Sequence, residues 1–214
     1  STKLTTMARQ NSIRAMIDSG LPVKDEDRLY DTLEEIIKKY GSNYGKHYDR
    51  LLEELGLETD PKIIAAGVVA YEHTKEGYLV PLPGVIPTLL TLKERYRLGM
   101  ISNGLAVKQW EKLIGLGIHH MFDVVATSEE VGYDKPQKEI FLFATEKLGL
   151  SPEECVMVGD RLDTDVLGGN LAGMRTVYLK RGKYGADKPE TKEQTPDFEI
   201  DDFTEITEVL ETNK

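Results

Sequence analysis

The chain has 214 residues, of which 40% are hydrophobic, so it is long enough for one large domain or for one domain with a smaller insert. Its net charge of −10 excludes nucleic acid as the main partner, because no basic stripe is available to neutralise phosphates. We see neither a signal-peptide pattern nor an apolar run of about 18 residues, and the single cysteine, Cys155, lies in a short apolar run. The sequence therefore predicts a soluble cytoplasmic protein without a membrane partner. Its 30% of charged residues is typical of thermophiles.

The first third of the chain carries helical periodicity. Apolar residues recur at helical spacing over residues 1–20, 25–40, 44–55 and 63–75. Gly20, Gly41 and Gly56 follow the first three of these segments, and Pro61 precedes the fourth. We therefore expect a small all-helical bundle over residues 1–80.

The pattern changes after the turn-rich segment at residues 78–84, which contains two prolines and a glycine. Strands are then predicted at residues 98–102, 122–127, 156–158, 175–179 and 198–200. Helices are predicted before, between and after these strands, at residues 85–96, 106–116, 136–148, 164–172 and 203–210. This alternation predicts an α/β fold for residues 81–214, with a Rossmann-like, doubly wound parallel sheet.

Polar residues follow the first predicted strand and also precede the helix predicted at residues 136–148. Ser102, Asn103 and Gly104 come after the first strand, where a hydroxyl and backbone N–H groups at a helix start can bind a phosphate. The same three residues are also ordinary turn residues. Lys135 stands before a proline that opens a helix, where its charge can neutralise an anion in a transition state, although a lone lysine there is commonly a surface residue.

The stretch that organises the rest of the chain is residues 155–173. Asp160 follows an apolar strand and a glycine, and Asp165 follows five residues later near a helix start. Ligands bind at the carboxyl ends of strands in open α/β sheets, and two carboxylates there suit Mg²⁺, which prefers oxygen ligands. The alternative for Asp165 is a favourable charge at the helix N-terminus.

Three segments resemble motifs of one enzyme superfamily. MISNG (100–104), YDKPQKEIF (133–141) and VGDRLDTDVLGG (158–169) are similar to motifs two, three and four of the haloacid dehalogenase superfamily. The helical first third resembles the cap domain of its subfamily I members. The resemblance implies a Mg²⁺-dependent phosphatase that acts on a small phosphorylated metabolite through an aspartyl-phosphate intermediate. The enzyme alternatives are a phosphomutase and a metal-free haloacid dehalogenase. The aspartate pair favours a metal and so disfavours the dehalogenase. The non-enzyme alternative is an inactive binding protein.

The resemblance also implies a role for each matched residue. Ser102, with the amides of Asn103 and Gly104, would bind phosphate oxygens, and Lys135 would stabilise charge on the nucleophile and the phosphoryl group. Asp160 would coordinate Mg²⁺, and Asp165 would coordinate it through water or hold Lys135. We expect replacement of Lys135 to lower kcat strongly and to change the melting temperature little.

One element of the superfamily pattern does not stand in the sequence. Motif one, an apolar strand followed by Asp-x-Asp-x-Thr, should precede the cap and carry the nucleophile. We expect a segment of roughly 10–20 residues upstream of Ser1, made of a strand of about 5–6 residues and a loop. Without it, the strands at 98–102 and 156–158 should lie roughly 9–10 Å apart, with a slot or another segment between them.

Three residues of the third predicted helix are candidates for substrate selection. Tyr44, His47 and Tyr48 lie three and four residues apart, which places them on one helix side. They either form the substrate face of the cap or belong to an ordinary packed surface. We expect the protein to be a monomer or a homodimer.

Overall fold

The computed structural model describes residues 2–42 and 44–212. The chain forms two compact units, Ser1–Leu79 and Val80–Lys214. Among the described residues, no helix has both the length and the apolar character needed to span a membrane.

The described residues of the first unit form four helices: α1 (Thr2–Asp18), α2 (Glu26–Tyr40), α3 (His47–Glu54) and α4 (Pro61–Tyr78). The side chain of Asp25 caps α2 by accepting a hydrogen bond from Arg28 N. The side chain of Asp60 caps α4 by accepting from Lys62 N and Ile63 N. A shared apolar core holds the helices together: Ile13, Met16, Leu21, Leu29, Leu33, Ile36, Leu51, Leu52 and Ile63. The helical periodicity of the sequence is confirmed by these four elements.

The second unit alternates helices and strands. Its first half contains α5 (Val85–Lys93), β1 (Gly99–Ser102), α6 (Ala106–Gly115), β2 (Val124–Thr127), α7 (Ser128–Val131) and α8 (Lys138–Leu148). Its second half contains β3 (Val156–Gly159), α9 (Leu167–Ala172), β4 (Arg175–Leu179), β5 (Phe198–Ile200) and α10 (Ile206–Thr212). The five predicted strands are all present.

Every strand pairing in this unit is parallel, so the α/β class is confirmed. The strands form two groups within the described residues: β1 pairs with β2, and β3, β4 and β5 pair in that order. β1 and β3 are not hydrogen-bonded to each other, and both line an apolar cavity of about 710 Å³. The lack of pairing agrees with the expectation that β1 and β3 are not adjacent strands, whereas the distance between them and the intervening segment stay predictions.

Two helix starts differ from the sequence-based expectation. The Lys135–Pro136 peptide is cis, and α8 begins at Lys138 after Gln137, whose backbone is not helical. Ahead of α9, residues 162–166 form one π-helical turn, in which Asp165 N and Val166 N both donate to Arg161 O. Helical periodicity in a sequence does not distinguish such a turn from an α-helix, because the apolar spacing changes too little over five residues.

Candidate active site

Lys135 joins the ends of the two strand groups. Its Nζ donates to Asp165 Oδ1 at 2.6 Å and to the carbonyl oxygen of Ile101, in β1, at 3.2 Å. The side chains of Lys135 and Asp165 are only 15% and 6% exposed. The pair therefore interacts in a largely water-excluded setting, where charge pairing is stronger than on the surface.

Asp165 reaches this position because Gly159 lacks a side chain. A Cβ on Gly159 would lie 2.2 Å from the Cβ of Asp165, which is too short for two carbon atoms that are not bonded to each other. The second carboxylate oxygen of Asp165 accepts a hydrogen bond from Arg161 N at 3.2 Å. Both of its oxygens thus have partners, which favours the role of holding Lys135 over direct metal coordination.

Asp160 is the carboxylate that remains exposed at the end of β3. Its pKa is raised, chiefly because its carboxyl group is partly desolvated and secondly because the negative charge of Asp165 is close. A divalent cation with a preference for oxygen would relieve this repulsion, so the residues fit Mg²⁺. Within the described part of the chain no group of three or more His, Cys, Asp or Glu side chains forms a metal site.

The loop after β1 has fewer free phosphate donors than the sequence implied. Gly104, with a φ of +116° that favours glycine, donates its N–H to Ser128 Oγ at 2.9 Å. The Asn103 side chain hydrogen-bonds to the Lys135 backbone. Among the residues that the structure describes, Ser102 Oγ makes only a long, 3.4 Å hydrogen bond to Asn103 O, which a phosphate oxygen can replace. Ser102 is therefore the donor of this loop best placed to change partner.

The three candidates in the helical unit do not lie on one helix side as expected, because α3 begins at His47 and Tyr44 precedes it. Tyr44 stacks on Tyr40 with ring centroids 4.8 Å apart, and His47 contacts the Tyr44 ring edge-on at 5.5 Å. Tyr48 instead packs against the core of the helical unit. Burial raises the pKa of Tyr48 to about 12. Tyr44 and His47 thus share a surface, whereas Tyr48 lies apart from them.

Two contacts near the site were not expected from the sequence. Arg161 forms a two-point ion pair with Asp163, at 2.9 and 2.5 Å, and its guanidinium lies 4.8 Å from the centroid of the Tyr184 ring. The sequence could have pointed to Arg161, because this residue directly follows Asp160. Ser128, the partner of Gly104, has no such signal because the contact depends on how β1 and β2 are paired.

Comparison with known proteins gives a consistent result. The chain matches the haloacid dehalogenase-like hydrolases over residues 10–173. It is 52% identical over 212 residues to the glyceraldehyde 3-phosphate phosphatase of Methanopyrus kandleri, covering 98% of this chain and 91% of that protein. It is 46% identical over 210 residues to the protein of the same name from Pyrococcus furiosus, with 98% and 87% covered. A solved structure of a HAD phosphatase from Thermococcus onnurineus is similar with a TM-score of 0.67 and 27% identity, covering 98% of this chain and 91% of that one.

Proposed function

Because the chain belongs to the haloacid dehalogenase-like hydrolase family and is a phosphatase of small phosphorylated metabolites, we propose that its substrate is glyceraldehyde 3-phosphate and its cofactor Mg²⁺. The observation that carries this proposal is the Lys135–Asp165 ion pair with Asp160 beside it. The identity to two glyceraldehyde 3-phosphate phosphatases over nearly the whole chain supports the choice of substrate.

Each polar residue then has a role in holding the phosphate ester. The Ser102 hydroxyl donates to one phosphate oxygen, and the Lys135 ammonium lies where it can offset charge that builds up on the transferring group. Asp165 fixes the Lys135 ammonium at 2.6 Å, and Asp160 provides the carboxylate for the cation. Mg²⁺, when bound, neutralises phosphate oxygens.

Neither aspartate of this site is assigned as a nucleophile. Asp165 has partners on both oxygens, and Asp160 is the carboxylate left for the cation. The aspartyl-phosphate route of the family therefore needs a carboxylate other than these two. Asp160 and Asp165 take binding and positioning roles in this proposal.

We further propose that the helical unit, residues 1–80, is a cap that selects substrates, and that residues 81–214 are the catalytic core. Tyr44 and His47 are the candidates for contact with the substrate, because their rings share one surface. Tyr48 is a weaker candidate, because its side chain packs against the core of the helical unit. We also propose a cytoplasmic location, since Cys155 is the only cysteine and forms no disulfide within the chain.

The test measures release of inorganic phosphate by the full-length protein. Glyceraldehyde 3-phosphate is compared with glycerol 3-phosphate and p-nitrophenyl phosphate, each with Mg²⁺ and with EDTA. We expect the highest kcat/KM for glyceraldehyde 3-phosphate and no release with EDTA. Equal rates for the three esters would refute the choice of substrate, and no release from any of them would indicate an inactive binding protein.

A further inference from the structure

The side chain of Asn103 pairs with both sides of the Lys135 backbone. Asn103 Oδ1 accepts a hydrogen bond from Lys135 N at 2.8 Å, and Asn103 Nδ2 donates to Lys135 O at 3.1 Å. Two hydrogen bonds between one carboxamide and one residue fix both distance and orientation. Lys135 is thereby attached to the loop that follows β1.

Both partners of this contact are themselves ordered by further hydrogen bonds. The carbonyl oxygen of Asn103 accepts from the buried side chain of Gln109 at 3.4 Å. On the other side, Asp134 and Gln137 close a turn around Lys135, because Gln137 N donates to Asp134 O and Asp134 N donates to Gln137 Oε1. Asn103 is the residue that connects this turn to the end of β1.

The position of the Lys135 ammonium depends on this connection. A lysine carries its ammonium on a flexible four-carbon chain, so its Nζ is placed accurately only when the backbone is fixed as well. Lys135 Nζ is 2.6 Å from Asp165 and 3.2 Å from Ile101 O, and a shift of the turn that carries Lys135 would lengthen both distances. A displacement of about 1 Å in a catalytic group can cost about 100-fold in rate.

We infer that Asn103 is a positioning residue that sets the location of the Lys135 ammonium through its backbone, and that its side chain does not bind substrate. This inference rests on the proposed function, in which Lys135 acts on the phosphoryl group. The expected phosphate contact of Asn103 uses its backbone amide and stays a prediction, whereas the positioning role uses the two polar groups of its side chain, which are hydrogen-bonded to Lys135.

The test is Asn103→Ala in the full-length protein. We expect kcat for p-nitrophenyl phosphate to fall about 10- to 100-fold, with KM changed less than about threefold. In a Lys135→Ala background the same change should cost nothing further, because residues that act through one another are not additive. Asn103→Ser loses the same two hydrogen bonds while staying polar, and it should reproduce the loss if the alanine variant does not fold.

Asn170→Ala is the matched control. Asn170 also uses its carboxamide to join two segments, donating to Glu193 O at 2.7 Å and to Thr195 O at 3.0 Å, but it does not contact Lys135. We expect it to lower the melting temperature and to leave kcat within about twofold. A raised KM with unchanged kcat in Asn103→Ala would make Asn103 a substrate ligand, and an additive loss with Lys135→Ala would show that it acts independently.

A crystal structure of Asn103→Ala separates this inference from the proposed function. We expect the Lys135 Nζ to Asp165 Oδ1 distance to exceed 3.5 Å, whether or not the protein hydrolyses phosphate esters. An unchanged distance overturns the positioning role. A wild-type protein without phosphatase activity overturns the proposed function alone.

Discussion

Replacement of Lys135 by alanine should reduce both stability and activity. The variant leaves the Asp165 carboxylate, 6% exposed, without its ammonium partner and close to Asp160. Removing one partner of a buried ion pair costs about 3–5 kcal/mol, and we expect about 3 kcal/mol here because Asp165 keeps its hydrogen bond from Arg161 N. For a domain of this size that corresponds to a fall in melting temperature of about 10 °C. Because the pair is buried, we expect this fall in melting temperature in place of the small change expected from the sequence alone.

The double variant Lys135→Ala/Asp165→Asn separates stability from chemistry. Neutralising Asp165 removes the uncompensated charge, so thermal unfolding should recover most of the lost stability. The rate should stay low, because an ammonium that offsets transition-state charge is worth roughly 10²–10³ in kcat. Differential scanning fluorimetry and phosphate release from p-nitrophenyl phosphate measure the two effects on the same samples.

Two results would refute this reasoning. A melting temperature of Lys135→Ala within about 2 °C of the wild type would show that water solvates Asp165 as well as the ammonium does. Recovery of kcat together with stability in the double variant would show that Lys135 is a structural residue, with no part in charge stabilisation.

Three further predictions concern the cation, the helical core and the choice of substrate. Asp160→Asn should abolish Mg²⁺ binding in calorimetry, whereas Asp163→Asn, a neighbouring carboxylate that pairs with Arg161, should retain it; equal affinities would contradict the assignment. Because the Tyr48 pKa is about 12 when folded and 10.0 ordinarily, the unfolded state loses its proton first, and stability should fall by about 1.4 kcal/mol per pH unit between these values. Tyr48→Phe should lack this pH dependence. Urea unfolding of both proteins from pH 9 to 11 measures it, and the same fall of unfolding free energy with pH in both would refute the reasoning. Tyr44→Ala and His47→Ala should reorder a panel of phosphate esters more than Tyr48→Phe does, and an unchanged order would exclude that surface from substrate selection.

The elements of the fold could be predicted from the sequence because their signals are local. The strands β1 and β3 are apolar runs that end at polar residues. The polar groups after β3 marked Asp160 and Asp165, and the proline that follows Lys135 marked that lysine. That these three residues interact follows from parallel strands, whose carboxyl ends lie at one edge. The ion pair between Lys135 and Asp165 was one of the two roles expected for Asp165.

The parts that could not be predicted depend on side-chain direction and on partners distant in sequence. Nothing in the order of residues shows that Asn103 turns its carboxamide toward Lys135, 32 residues away, or that Gly104 N donates to Ser128. Tyr48 was grouped with Tyr44 because one helix was expected from residue 44 onward, but α3 begins at His47, so helical spacing does not relate Tyr44 to Tyr48. The four-residue α7 is too short for any periodic signal.

The charges at the site show why Lys135 alone does not make it a phosphate site. Two carboxylates, Asp160 and Asp165, lie beside a single ammonium, so these residues together carry one negative charge and repel a phosphate ester. The two nearby arginines do not alter this balance, because Arg161 pairs with Asp163 and Arg181 lies 3.6 Å from Asp202. One divalent cation on Asp160 changes the sum from −1 to +1, which then favours a phosphate dianion. In the proposed function, Asp160 would therefore create the attraction for the substrate by holding the cation, and Asp165 and Asn103 would fix the ammonium that acts on it.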